Sequence, residues 1–169
     1  MKFQFRVTLI FANAALVAGL GAVGSVGAQT LPQEGRYEWT SCWSGVANAI
    51  RFSKTHWGMS FEMTGTIVTN PPGTLFDRNT FRCVGTQASL DGKVSGSNVC
   101  EAMDRDGDAR LANYSFRSDG KVTKEWVAGT GKYRGMEMRS AVLDLGPFPA
   151  IKPGTFQGCN HETGTYKLK

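Results

Sequence analysis

The stretch RCVGTQASL-DG-KVSGSNVCE, residues Arg82–Glu101, decides the fold. Two short runs flank Asp91-Gly92, and neither has the three-to-four spacing of an amphipathic helix. Asp-Gly between such runs signals a two-residue hairpin turn, because both central positions of that turn require positive φ. If Asp91 and Gly92 form the loop, Leu90 faces Lys93, and counting outward brings Cys83 opposite Cys100. By alternation that is a non-hydrogen-bonded pair with Cα atoms ~4.5 Å apart, within disulfide range. This predicts a Cys83–Cys100 bridge and leaves Cys42 with Cys159 to tie the first strand to the C-terminal region. A bulge at Gly85 or Gly96 would shift the register, and crossed pairs then stay open.

Asp106-Gly107 and Asp119-Gly120 continue the pattern. Together the three turns predict a meander of strands over about 79–88, 94–103, 109–117 and 121–128. Upstream, Trp57, Met59, Phe61, Met63, Gly65 and Ile67 share one face of a long half-buried strand. Asn70-Pro71-Pro72-Gly73 ends it, since proline cannot donate to a ladder. With this strand, at 57–68, further runs at 36–44, 134–144 and 163–168 raise the total to about eight. The expectation is all-β: one antiparallel meander closing into a roughly eight-stranded barrel, which leaves no exposed sheet edge.

The chain has 169 residues and a formal net charge of +5. Residues 1–28 read as a cleaved signal peptide: Lys2 and Arg6, an apolar Val7–Gly19, then the small-x-small ending Val26-Gly27-Ala28. Residues 29–169 form one β-barrel domain by length. The leader's apolar run, broken by Gly19 and Gly21, is too short to span a bilayer, so no membrane span is expected in the mature chain. An even number of cysteines in an exported chain favours disulfides and an oxidising compartment, periplasmic or extracellular. Their spacings of 41, 17 and 59 do not suit zinc. The basic residues, among them Lys121, Lys124, Lys132, Arg134, Arg139 and Lys152, are scattered and read as a solubility feature. Nothing indicates nucleic-acid binding.

Gly129-Thr130-Gly131-Lys132-Tyr133-Arg134-Gly135 is the most distinctive motif. Its glycines allow a tight bend, and Tyr133 can place its ring in the core while its hydroxyl finds a partner. It lacks the frame of a phosphate-binding loop. The stretch resembles the GTGK(F/Y) signature of the allene oxide cyclase and dirigent proteins, within the calycin-like barrels that also include small secreted bacterial proteins of unassigned role. The resemblance implies an eight-stranded barrel in which this stretch is a structural bend. It raises cyclase or isomerase chemistry as an alternative function.

Candidate site residues follow. For a catalytic role the carboxylates Glu125 and Glu137 and the phenol Tyr133 are the groups to place; Glu125 points inward only if Trp126 faces solvent. His56 is a possible acid–base partner for Glu62, Glu125 or Glu137 in a barrel mouth. Tyr37, Trp39, Trp43 and Trp57 are either core or the lining of a ligand pocket. Asp104, Asp106 and Asp108 resemble the opening of a calcium loop, but the glycine and glutamate that would complete it are missing, so a solvated hairpin tip is preferred. No HExxH or GxSxG frame appears, and nothing calls for a cofactor. The preferred function is non-catalytic binding of a small apolar or aromatic ligand. A cyclase of the kind named above and a structural or interaction protein of the envelope are the alternatives. The sequence does not set the oligomeric state.

Overall fold

A computed structural model of the protein describes residues 32–146 and 148–169. The expected signal peptide lies outside them. Eight strands follow one another: β1 Glu34–Arg51, β2 Trp57–Thr69, β3 Thr80–Leu90, β4 Lys93–Met103, β5 Ala109–Phe116, β6 Val122–Gly129, β7 Glu137–Asp144 and β8 Thr155–Lys167. All pairings are antiparallel in the order β6-β5-β4-β3-β2-β1-β8-β7. The meander therefore curls into a nearly closed barrel. Its single seam lies between β6 and β7, which sit side by side without a ladder.

The β3–β4 hairpin has the predicted register. Leu90 pairs with Lys93 and Cys83 with Cys100, and Asp91 and Gly92 take φ of 53° and 76°. Cys83–Cys100 and Cys42–Cys159 are both bonded, with Cα separations of 4.1 and 4.0 Å. The other two Asp-Gly corners are built differently. Gly107 donates to Asp104 O and Asp104 to Asp108 O; Gly120 donates to Arg117 O and Arg117 to Lys121 O. Only the glycine of each has positive φ. These are three-residue loops, in which the aspartate needs no left-handed conformation.

One end of the barrel is closed. Residues 70–79 fold across it and insert Phe76, whose ring meets Tyr37, Trp39 and Tyr166 edge-on at centroid distances of 5.4, 5.1 and 5.5 Å. Ile67, Tyr133 and Leu168 complete this buried floor. A short 3-10 turn, Gly131–Tyr133, links β6 to β7 beside it. Asp77 holds the floor loop by accepting from Thr69 N and Gly73 N, both at 3.0 Å. At the opposite end, where β1 meets β2, β3 meets β4, β5 meets β6 and β7 meets β8, no such plug exists among the described residues.

Candidate functional site

Above the floor the barrel encloses a cavity of about 260 Å³. Alternation along each strand sends every second side chain into it: Trp39, Ser41 and Trp43 from β1, Tyr114 and Phe116 from β5, Val122, Lys124 and Trp126 from β6. Val122 and Asp144 line it and are exposed, so it opens to solvent at the unplugged end. A dry apolar cavity of about 150 Å³ already holds a benzene molecule. The space here is ample for a one- or two-ring body with a polar head.

The polar content of this interior is unusual. Lys124 Nζ lies 2.7 and 2.8 Å from the two carboxylate oxygens of Glu162, and the Tyr37 hydroxyl donates to Glu162 Oε1 at 2.8 Å. Both side chains of the ion pair are buried. Since Lys124 is on β6 and Glu162 on β8, the pair reaches across β7 and clasps the unladdered seam from inside. Rings surround the ammonium, with Trp126, Trp39 and Tyr114 centroids at 4.3, 5.1 and 5.1 Å.

Arg110, also buried, is the second cation. It donates to the amide oxygen of Asn79, and its guanidinium carbon lies 4.5 Å from the Phe76 centroid and 5.2 Å from that of Tyr133. No carboxylate pairs with it among the described residues. Among the described residues the cavity lining thus holds two buried cations and one buried carboxylate, with a second carboxylate, Asp144, exposed at its mouth. In addition Arg110 Nε, Trp126 Nε1 and Asn98 Oδ1 are buried without partners, and all three residues line the cavity. Unpaired buried polar atoms of this kind are rare and costly.

Burial sets the protonation behaviour. It lowers Lys124 to about 8, with Glu162 pulling the other way. Desolvation lowers Arg110 as well. Tyr37 and Tyr114 are raised, first by burial and then by the charge of Glu162, so both phenols are neutral at pH 7.

Of the four aromatic candidates, Trp39 and Trp43 line the cavity. Tyr37 lies in the floor, stacked on Trp39 at 4.3 Å and holding Glu162. Trp57 does not reach the cavity: it pairs with Arg51 and Ser89, near the open ends of those strands and beyond the lining. The catalytic candidates are not brought together there. Glu125 and Glu137 are exposed, while Trp126 faces inward. Tyr133 is sealed in the floor, where its hydroxyl donates to Asp104 Oδ2 at 2.9 Å. His56 contacts Asp91 at 3.0 Å, and Glu62 pairs with Arg82 on the barrel exterior.

The acidic tip is not freely solvated. Lys132 Nζ sits among the three carboxylates, 2.7 Å from Asp104, 2.6 Å from Asp106 and 3.5 Å from Asp108. An ammonium occupies the position a cation would take. No group of residues suited to a metal occurs among the described residues. Burial opposes the charge on Lys132, but Asp104 and Asp106 outweigh it and raise its pKa. Thr130 N donates to Ala109 O at 2.8 Å, and its hydroxyl accepts from Ala109 N at 2.8 Å. The glycine-rich motif is therefore a structural clamp between the β4–β5 loop and the β6–β7 link.

Lys124, Glu162, Arg110 and Asn98 are the residues that sequence reasoning missed. Lys124 is buried, not one of the solvated surface charges. No known protein family, curated protein or solved structure matches the chain.

Proposed function

We propose that this protein binds, without transforming, a small apolar or aromatic molecule that carries one anionic group. The observation behind the reading is a solvent-connected cavity, walled largely by aromatic and aliphatic side chains, whose buried cations outnumber its buried carboxylate by one. A charge in a low-dielectric interior is costly unless paired. A ligand carboxylate or sulfonate supplies the missing partner, while its rings stack on Trp39, Trp43 and Trp126. The two disulfides are consistent with an oxidising, exported setting.

The alternatives find less support. A barrel with a purely structural role would be filled, and this one holds about 260 Å³ of space. Cyclase chemistry would draw on Glu125, Glu137 or Tyr133, and none of these lines the cavity.

A matched probe pair tests the proposal. Naphthalene-2-carboxylate should quench the tryptophan fluorescence saturably at one site, and naphthalene-2-carboxamide should bind roughly ten- to a hundredfold more weakly, as expected for loss of a charge-assisted contact. Equal affinity would remove the anionic group from the proposal and leave the apolar site. No saturable binding of either probe would overturn the proposal entirely.

A further inference from the structure

We propose that the open end of the barrel docks on the surface of an anionic lipid bilayer. The residues concerned lie on the barrel exterior, apart from whatever the cavity holds. Large apolar side chains project from three of the four strand connections at this end. Ile50 is 80 % exposed, Phe52 89 %, Leu90 66 % and Ile151 89 %. They belong to neighbouring loops. Gly92 N donates to Thr55 O at 3.1 Å, His56 contacts Asp91 at 3.0 Å, and Ala47 N donates to Gly154 O at 2.9 Å. The tips therefore form one rim. Scattered apolar residues on a surface need no explanation, but several highly exposed ones gathered on the neighbouring connections of one rim mark an interaction face.

Charge selects the partner. Six exposed basic side chains sit on or beside the four connections: Arg51, Lys54, Lys93, Arg117, Lys121 and Lys152. Against them, among the described residues of these connections and their flanks, stand Asp91, Asp119 and Asp144. Residues 32–169 hold 17 basic and 14 acidic side chains, so this one end carries a positive excess equal to that of the whole domain. The connections at the plugged end are balanced, with Asp77, Asp104, Asp106 and Asp108 beside Arg78, Arg105, Lys132 and Arg134, and among the described residues no large apolar side chain there is as exposed as Ile50, Phe52 or Ile151. Apolar tips interleaved with exposed Lys and Arg match a bilayer of anionic lipid: the tips enter the headgroup region and the cations meet the phosphates. A protein partner would bring a shaped surface, whereas these separate tips fit a deformable one.

Vesicles of phosphatidylcholine with and without phosphatidylglycerol test this, using the full chain and reading each variant against the parent. Any contribution of the N-terminal apolar run is then common to both. Co-sedimentation should show roughly ten- to a hundredfold tighter partition onto the anionic vesicles at low salt, declining as salt screens the charges. The F52S/I151S variant should lose at least about tenfold of that partition, with unchanged thermal unfolding because both side chains are exposed. F52W emission should shift to the blue on anionic vesicles, whereas R105W, on the plugged end, should add no such shift. The proposal is overturned if partition is absent, if it is indifferent to the anionic lipid, or if F52S/I151S leaves it unchanged. It is equally overturned if sedimentation velocity shows the rim variant abolishing a dimer instead, making a second copy the partner.

Discussion

Replacing Glu162 by Gln keeps the shape of the side chain but leaves Lys124 buried against a neutral amide, with Arg110 the nearest other cation in the cavity wall. In the native protein the carboxylate accepts from Lys124 through both oxygens and from Tyr37 through one. Removing one partner of a buried pair costs about 3–5 kcal/mol, most of it the cost of the stranded charge. Unfolding entropy of about 2.1 cal/mol/K per residue over roughly 140 residues gives about 0.3 kcal/mol per degree, so E162Q should lower Tm by ~10–17 °C at pH 7. The penalty should shrink on raising the pH through the Lys124 pKa of about 8, because the ammonium is then neutral in both proteins.

Urea unfolding of four oxidised proteins, followed by circular dichroism at pH 7, measures the pair itself: parent, E162Q, K124M and K124M/E162Q. The single changes should each be costly, and the double variant should lie well above the sum of their losses, with a coupling of about 1–3 kcal/mol. Additive losses, or an E162Q penalty under about 1 kcal/mol, would show that the two charges do not act as a buried pair. The seam between β6 and β7 would then be closed by side-chain packing alone.

Two further outcomes follow from the structure. Lys124 has a folded-state pKa of about 8 against 10.5 for a solvated lysine, so between these pH values the unfolded chain holds a proton that the native chain has released. The Lys124 contribution to stability should therefore rise by about 2 kcal/mol from pH 8 to 10, opposed towards pH 10 and above by Tyr37, Tyr114 and Tyr133, which stay neutral only in the native state; equal pH profiles for the parent and K124M from pH 8 to 10 would count against this assignment. At the clamp, Gly131 has φ of 46° and a Cβ there would land on the Asp108 carboxylate, so G131A should cost about 1–3 kcal/mol in denaturant unfolding, with D108A recovering only the steric part, and no loss would refute the geometry.

Much of the architecture was legible because it is local. A two-residue Asp-Gly loop fixes the register of its own hairpin, and one register places Cys83 against Cys100 without any tertiary information. The Trp57–Ile67 alternation likewise gave the correct inward face, since Met63 and Ile67 line the cavity. The expected start of the last strand, at 163, was too late: β8 begins at Thr155. Gly158, the polar run from Cys159 to Thr163 and Gly164 offer little β-branched or aromatic signal, and it is pairing with β1 on one side and β7 on the other that makes the segment a strand. Glu162 was lost with that boundary.

Lys124 failed for a different reason. The period of two already put it on the same face as Val122 and Trp126, so an inward Trp126 required an inward lysine. Composition argues the other way, because buried lysine is rare. Only its partner makes the position tolerable, and that partner lies 38 residues away on a strand that β7 separates from β6. The physics behind the prior still holds: a lysine is expelled from a core unless something compensates it. What a single strand cannot reveal is the compensation, which arises when an incomplete ladder leaves β6 and β7 unpaired and an internal ion pair spans the gap. Arg110 has no carboxylate of its own among the described residues, and the same rule applied to it is what makes an anionic ligand the proposed partner.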